Sequence, residues 1–195
     1  MSLATITAVS LPPQVYAHTA SHDVALTADP TRFRTVTSKN FGWVKPMSGC
    51  GLWTAPVTGR TDDGLPADSA WLEWCRSEMD SDTSGQMLTE ITPVPDARLL
   101  LIDSQEHLVA IIDAYPESDS QWPGRGRLYP NWSGLAAAGW DGVYLTERGQ
   151  WATRLPESGP DLYTWDLESM LWLRHAYTVG RTVQSQVRVK AGEGS

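Results

Sequence analysis

Two carboxylates, Asp166 and Glu168, stand at a spacing of two within residues 162–174, a run rich in aromatic and aliphatic side chains. If this run is a β-strand, alternate side chains share a face and both carboxylates point the same way. An ionised carboxylate on an apolar strand is costly unless it is paired, hydrogen-bonded or placed at a site. The structural alternatives are a solvated face and a salt bridge from Glu168 to Arg154 or Arg174.

A carboxylate held in a site that excludes water can stabilise the oxocarbenium-like cation that forms when a bond to an anomeric carbon breaks. Glu168 is the candidate for that role, and Asp166 is the candidate for orienting or deprotonating an acceptor. Same-face neighbours on a strand lie only about 6.5 to 7 Å apart at the backbone. That spacing alone does not establish the two-sided arrangement that a glycoside-cleaving enzyme needs, so this reaction class stays an alternative.

Composition predicts a single domain with a sizeable core. The chain has 195 residues and is 41% hydrophobic, which suits one domain over 1–190, followed by a loose tail at 191–195. Ten Trp against two Phe is an unusual ratio. Most of these Trp residues are expected to pack with one polar edge, and several could line a groove for a sugar, a base or a nicotinamide ring.

The net charge of −8 argues against nucleic-acid binding through bulk electrostatics. The segment 32–45 has the opposite sign, because its four cations have no acidic residue among them: Arg32, Arg34, Lys39 and Lys45. A solvated surface explains such a segment, and so does an anionic ligand such as a pyrophosphate.

Several function classes have no support in the sequence. Cys50 and Cys75 lack a zinc or redox spacing and are expected to be reduced thiols, and no metal motif is present. The N-terminus is a poor signal peptide, and no apolar run approaches the ~20 residues of a membrane span. The prediction is a cytoplasmic protein with no metal and no membrane partner.

Apolar periodicity predicts more strands than helices, and hence an α+β fold. Strands are expected at 14–19, 51–56 (stopped by Pro56), 97–103, 140–146, 162–174 and 182–190. Helices are expected from Asp68 or Ser69 to about Met79, from Ser104 with Leu108, Ile111, Ile112 and Tyr115 inward, and from Asn131 to Ala138. Residues 20–51 and 147–161 are expected to be loops, because they are polar and interrupted by Gly and Pro.

Four short motifs, taken in order, resemble the ADP-ribosyltransferase superfamily. They are Val15-Tyr-Ala-His-Thr19, Gly51-Leu-Trp-Thr-Ala-Pro56, Trp140-Asp-Gly-Val-Tyr144 and Asp166-Leu-Glu168. They are similar to that family's opening strand, its second strand, its "YDG-aliphatic" strand and its acid-x-Glu strand. The resemblance implies a split β-sandwich with helices inserted between the early strands. It also implies NAD as co-substrate and Glu168 as the catalytic acid.

The resemblance further implies a cofactor-binding set from the first two motifs. His18 would hold a ribose hydroxyl or a phosphate oxygen, with Thr19 beside it, and Trp53 and then Tyr16 would supply the aromatic wall for nicotinamide. Thr54 would hydrogen-bond the amide, and Arg34 or Lys39 would meet the pyrophosphate.

Two functions from different classes follow from these features. One is an enzyme that moves ADP-ribose from NAD to an unidentified acceptor, which is a protein, a nucleic acid, a small molecule or water; with water it is an NAD glycohydrolase. The other is a Trp-rich module that binds a nucleotide or a sugar without chemistry.

Overall fold

The computed structural model describes residues 2–19, 29–36, 50–117 and 129–186. They contain nine β-strands, four α-helices and one short 3₁₀ helix at Ala8–Ser10. The strands are β1 (Thr5–Ile6), β2 (Gln14–Thr19), β3 (Leu52–Arg60), β4 (Pro66–Ser69), β5 (Gln86–Pro93), β6 (Leu99–Ile102), β7 (Gly142–Leu145), β8 (Ser169–Trp172) and β9 (Tyr177–Gln184). The helices are α1 (Ala70–Glu78), α2 (Gln105–Ala114), α3 (Trp132–Ala137) and α4 (Glu147–Arg154).

The strands form one mixed sheet in the order β1-β6-β7-β8-β3-β2-β5-β9, with β4 paired to β3. The β6–β7 pair is parallel, and every other recorded pair is antiparallel. The predicted α+β class is therefore confirmed. No helix in the described ranges has the length and apolar character to cross a bilayer.

The buried apolar side chains form three clusters. The smallest packs Leu72 of α1 against Val15 and Leu88, and the two larger ones are layers on opposite faces of β8. One layer, which we call the helix-side layer, packs α2 and α3 against β6, β7 and β8, with Ile111, Leu135 and Val143 fully buried in it. The other contains Met170, Trp172 and Tyr177. Alternation along β8 separates the layers, because Met170 and Leu171 point to opposite faces.

The sheet curls strongly between β8 and β9. In a flat sheet four strand spacings would separate these strands by about 19 Å, yet the ring centroids of Trp172 and Tyr177 are 5.0 Å apart. Residues 173–176 connect the two strands directly. The second apolar layer is therefore enclosed within the curl.

Local signals located the first three helices correctly. Ser69, Ser104 and Asn131 each cap a helix, and each side chain accepts a hydrogen bond from a backbone N–H three residues on. Leu108, Ile111 and Ile112 face the core as predicted. On α1, Leu72 is buried while Trp71 is exposed, and Met79, the residue that follows the helix, is exposed as well.

The prediction of a loop over 147–161 is wrong for its first half, which is α4. Thr146 caps this helix by accepting from the Gly149 N–H. A Cβ at position 149 would lie 2.1 Å from the Ile102 carbonyl oxygen, so Gly149 lets the helix pack closely against β6. In the sequence alone, the same glycine favours a loop, which explains the incorrect prediction.

The predicted strand over 162–174 is also wrong for its first part, because β8 begins only at Ser169. Upstream of it, the Leu162 N–H donates to the Thr153 carbonyl at 2.8 Å, and the Trp165 indole donates to Ser169 Oγ at 2.5 Å. These contacts anchor the segment to α4 and turn the chain. Asp166 and Glu168 therefore precede the strand.

Two further strand boundaries differ from the prediction. Strand β3 continues through Pro56 to Arg60. Pro56 pairs with Gln14 of β2 on one edge, where the neighbouring Val57 N–H donates to the Pro13 carbonyl. On the other edge Pro56 lies between Thr54, the last residue paired with β8, and Val57, the first paired with β4, so its missing N–H costs no ladder hydrogen bond. The last strand begins earlier than predicted, at Tyr177, and residues 187–190 lie outside the described ranges.

We expect Ser104→Ala to lower the free energy of unfolding by about 1 kcal/mol, because it removes the hydroxyl that caps α2. Urea denaturation followed by circular dichroism measures the change. Ser158→Ala, at an exposed position after α4, is the matched control and should stay within about 0.5 kcal/mol of wild type. Equal stability of the two variants would contradict the capping role.

Candidate functional site

The sheet splits between β2 and β3. These strands pair only through Gln14 with Pro56 and Val15 with Ala55. From Tyr16 onward β2 pairs with β5 alone, while residues 52–54 of β3 pair with β8. We call this divergence the β2–β3 split; its closed end is at Gln14 and its open end at Thr19.

The split brings three predicted motifs onto neighbouring strands, because β8, β3 and β2 are consecutive in the sheet. Thr54 pairs with Met170, and Glu168 lies two residues before Met170. Tyr16, His18 and Thr54 lie on the face that carries Met170 and Trp172, since they contact one another or members of that apolar layer. Residues far apart in sequence thus meet on one face.

Glu168 is half-buried and accepts a hydrogen bond on Oε1 from the Tyr144 hydroxyl. Tyr144 is 2% exposed. Burial, followed by the hydrogen bond to Glu168 and its negative charge, raises the pKa of Tyr144 far above its ordinary value. The phenol therefore stays protonated and remains a donor to the carboxylate.

The two arginines considered as salt-bridge partners of Glu168 contact other residues. The Arg174 guanidinium lies 3.5 Å from Asp141 Oδ1, and the Arg154 guanidinium lies over the Tyr163 ring, 5.8 Å from its centroid. Tyr144, rather than either cation, is the recorded contact of the Glu168 carboxylate.

Asp166 lies in the irregular segment before β8 and is half-buried. Its backbone carbonyl accepts from Nε2 of the buried Gln150 at 3.4 Å, which ties the segment to α4. Since neither Asp166 nor Glu168 is in a strand, pleat geometry does not force their side chains onto one face. That premise of the sequence interpretation is wrong, while the roles assigned to both residues stay predictions.

His18 is buried and held from both ring nitrogens. Nδ1 lies 2.9 Å from the Thr19 carbonyl oxygen and Nε2 lies 2.9 Å from Thr89 Oγ1. Because a carbonyl only accepts, Nδ1 donates, and in the neutral ring Nε2 accepts from the Thr89 hydroxyl. The Tyr16 ring stacks on His18 with centroids 5.3 Å apart. The imidazole is therefore fixed in position and tautomer.

Thr54 joins the three strands through buried hydrogen bonds. Its hydroxyl donates to Gln14 Oε1 at 2.9 Å and accepts from Trp172 Nε1 at 3.2 Å. Thr54 is 3% exposed. The predicted amide-binding group is thus already engaged in a chain from β8 to β2, and its role toward a ligand stays a prediction.

The two predicted aromatic walls lie on opposite faces. Trp53 packs with the helix-side layer and meets Trp165 edge to face, with centroids 4.7 Å apart. Tyr16 lies on the face of His18 and Thr54, where burial raises its pKa. The structure therefore brings Tyr16, and not Trp53, to the face that carries the other predicted residues.

Two of the remaining predicted residues, Thr19 and Arg34, lie at the open end of the split. Thr19 is the exposed last residue of β2, and Arg34 is exposed. The Arg34 carbonyl accepts from the Gly51 N–H at 2.7 Å, which places this arginine beside the start of β3. Lys39 lies outside the described residues, as does most of the loop predicted over 20–51.

Three residues at the site were not assigned a role from sequence: Gln14, Tyr144 and Gln150. Each places a hydrogen-bonding side chain against a predicted element. Tyr144 is the last residue of the motif at 140–144. Its hydroxyl is the sequence feature that could have indicated a role, because the strand is otherwise apolar. A role for Gln150 could not be predicted, because the sequence predicts a loop where the structure has α4.

The described residues contain no group of three or more His, Cys, Asp or Glu side chains that could hold a metal ion. The described part of the split offers hydrogen-bond donors and acceptors, aromatic faces and the half-buried Glu168 carboxylate. No protein-family model, curated protein or solved structure matches this chain.

Proposed function

We propose that this protein is an NAD-dependent ADP-ribosyltransferase, which moves ADP-ribose from NAD to an acceptor and releases nicotinamide. The observation that carries the proposal is the adjacency of β2, β3 and β8, the strands that carry or directly follow His18, Thr54 and Glu168. Sequence order alone does not require these strands to be neighbours. Their adjacency supports the proposal because it places all three residues within one region of the sheet.

We also propose that the fold is an ADP-ribosyltransferase-like split β-sandwich. Two features support it: the β2–β3 split, and the curl that brings Tyr177 onto Trp172. Together they divide the continuous sheet into two halves that face each other across the second apolar layer.

The arrangement suits an extended dinucleotide. Glu168 lies toward the closed end of the split, since Met170 pairs with Thr54 and Pro56 pairs with Gln14. His18 lies four residues beyond Gln14, about 13 Å along the strand. NAD carries two ribosyl groups joined by a pyrophosphate, so one end can meet Glu168 while the other meets His18.

In the proposed reaction the bond between nicotinamide and the ribose anomeric carbon breaks, and its electron pair leaves with nicotinamide. Positive charge develops on the ribose, and the Glu168 carboxylate stabilises it. Tyr16 is the aromatic wall on this face, and the Arg34 cation meets the pyrophosphate. The acceptor adds to the anomeric carbon and gives its proton to Asp166 or to solvent; water as acceptor makes the reaction NAD hydrolysis.

We expect Glu168→Gln to lower kcat for nicotinamide release by about 10²- to 10³-fold with NAD binding retained, because the amide keeps an acceptor for Tyr144 but carries no charge. Chromatographic assay of nicotinamide and calorimetric titration with NAD measure the two effects. Glu78→Gln, exposed at the end of α1, is the control. A wild-type protein that neither binds NAD nor releases nicotinamide refutes the proposed function.

A second function, binding of a nucleotide or sugar without chemistry, is favoured by a different surface. Trp71 is 40% exposed on α1. It stacks on Trp74 with centroids 5.3 Å apart and planes 24° apart. An exposed indole that is stacked on a half-buried one offers an apolar face to a sugar ring or a base.

If this second function holds, tryptophan fluorescence will change on titration with nucleotides or oligosaccharides, and Trp71→Ala will weaken binding about tenfold or more. Trp151→Ala is the matched control, because Trp151 is exposed on α4, a different helix. Equal weakening by both variants would argue against a site on α1.

A further inference from the structure

Tyr144 lies in β7 and reaches across to the segment that precedes β8, where its hydroxyl donates to Glu168. We propose that Tyr144 is the positioning residue of Glu168: it holds one carboxylate oxygen so that the other faces the developing ribosyl cation. This inference rests on the proposed function, and it assigns a residue to which sequence reasoning gave no role.

The backbone of Tyr144 is held on both sides. It pairs with Leu101 of β6 in a parallel ladder and with Met170 of β8 in an antiparallel one. All four residues of β7 are buried, and the Tyr144 ring packs in the second apolar layer with Met170 and Trp172. The hydroxyl is therefore presented from a rigid element in a packed core.

The backbone of Glu168, unlike that of Tyr144, is not held by neighbouring strands. It precedes the first paired residue of β8 and lies in the irregular segment that follows Trp165. No strand ladder fixes its backbone, and a long carboxylate side chain has several rotamers. A hydrogen bond from a rigid, buried donor restricts that freedom. A catalytic carboxylate needs such restriction, because small displacements from the reacting atom cost rate.

The chemistry of the phenol suits a fixed donor. The Tyr144 hydroxyl stays protonated, so it donates to the carboxylate and cannot compete for the cation as an anion. It also occupies one oxygen of Glu168 with a charge-assisted hydrogen bond that water would otherwise make. The second oxygen remains for the ribosyl centre.

The test is Tyr144→Phe, which keeps the ring in the core and removes only the hydroxyl. We expect kcat for nicotinamide release to fall about 10- to 100-fold with KM for NAD within about twofold, because a lost hydrogen bond to a charged group misplaces Glu168 without touching NAD. Tyr115→Phe is the matched control. Its hydroxyl accepts from Trp140 Nε1 at 3.3 Å in the helix-side layer, and both constants should stay unchanged.

A double-mutant cycle separates positioning from general damage to the fold. In the Glu168→Gln background, Tyr144→Phe should change kcat by less than about twofold, because no catalytic carboxylate is left to position. The same large loss in both backgrounds would overturn the proposal. If Tyr144→Phe does not fold, 4-fluorophenylalanine at position 144 fills the space of the hydroxyl without donating, and the same outcomes apply.

The proposed function and this inference fail in different ways. An active wild type together with a folded Tyr144→Phe variant of unchanged kcat overturns the role of Tyr144 alone. A rise in KM for NAD at unchanged kcat also overturns it, since that result would place Tyr144 in ground-state binding. A wild type that releases no nicotinamide overturns both.

Discussion

A buried chain of hydrogen bonds ties together the three strands on which the site depends. Trp172 donates to Thr54, Thr54 donates to Gln14, and Gln14 Nε2 donates to the Pro12 carbonyl at 3.0 Å. Each bond contributes only about 1 kcal/mol net, but a buried group left unpaired costs about 1 to 3 kcal/mol. This series of hydrogen bonds therefore selects one register for β8, β3 and β2. The split between β2 and β3 opens beyond it, toward Thr19.

The same strands serve two layers with different tasks. The helix-side layer buries long aliphatic and indole side chains, and it includes Trp53 and Trp165. The second apolar layer, within the curl, mixes apolar residues with Tyr144 and Tyr177, and Tyr16, His18 and Thr54 lie on its face of the sheet. Because side chains alternate along a strand, the same stretch of sequence contributes packing residues to one face and hydrogen-bonding side chains to the other.

Sequence predicted the features that local rules control. Strand β2 and the caps Ser69, Ser104 and Asn131 follow from short-range patterns. Features set by contacts between distant segments were missed: α4 depends on the close approach of Gly149 to Ile102, and the turn before β8 depends on Leu162 and Trp165. At the candidate site, the motifs identified the strands, but Trp53 and Thr54 are adjacent in a strand and could not both face one ligand. The Tyr144 contact with Glu168 required the fold.

The distance in sequence between the linked groups has a consequence for biosynthesis. Trp172 and Thr54 are 118 residues apart, and β8 lies between β7 and β3 in the sheet. During translation β2 and β3 leave the ribosome long before their third strand exists, and such non-local pairing forms slowly. The nascent chain is therefore without the hydrogen bond from Trp172 to Thr54, and without a completed split, until residues 169–172 of β8 have emerged.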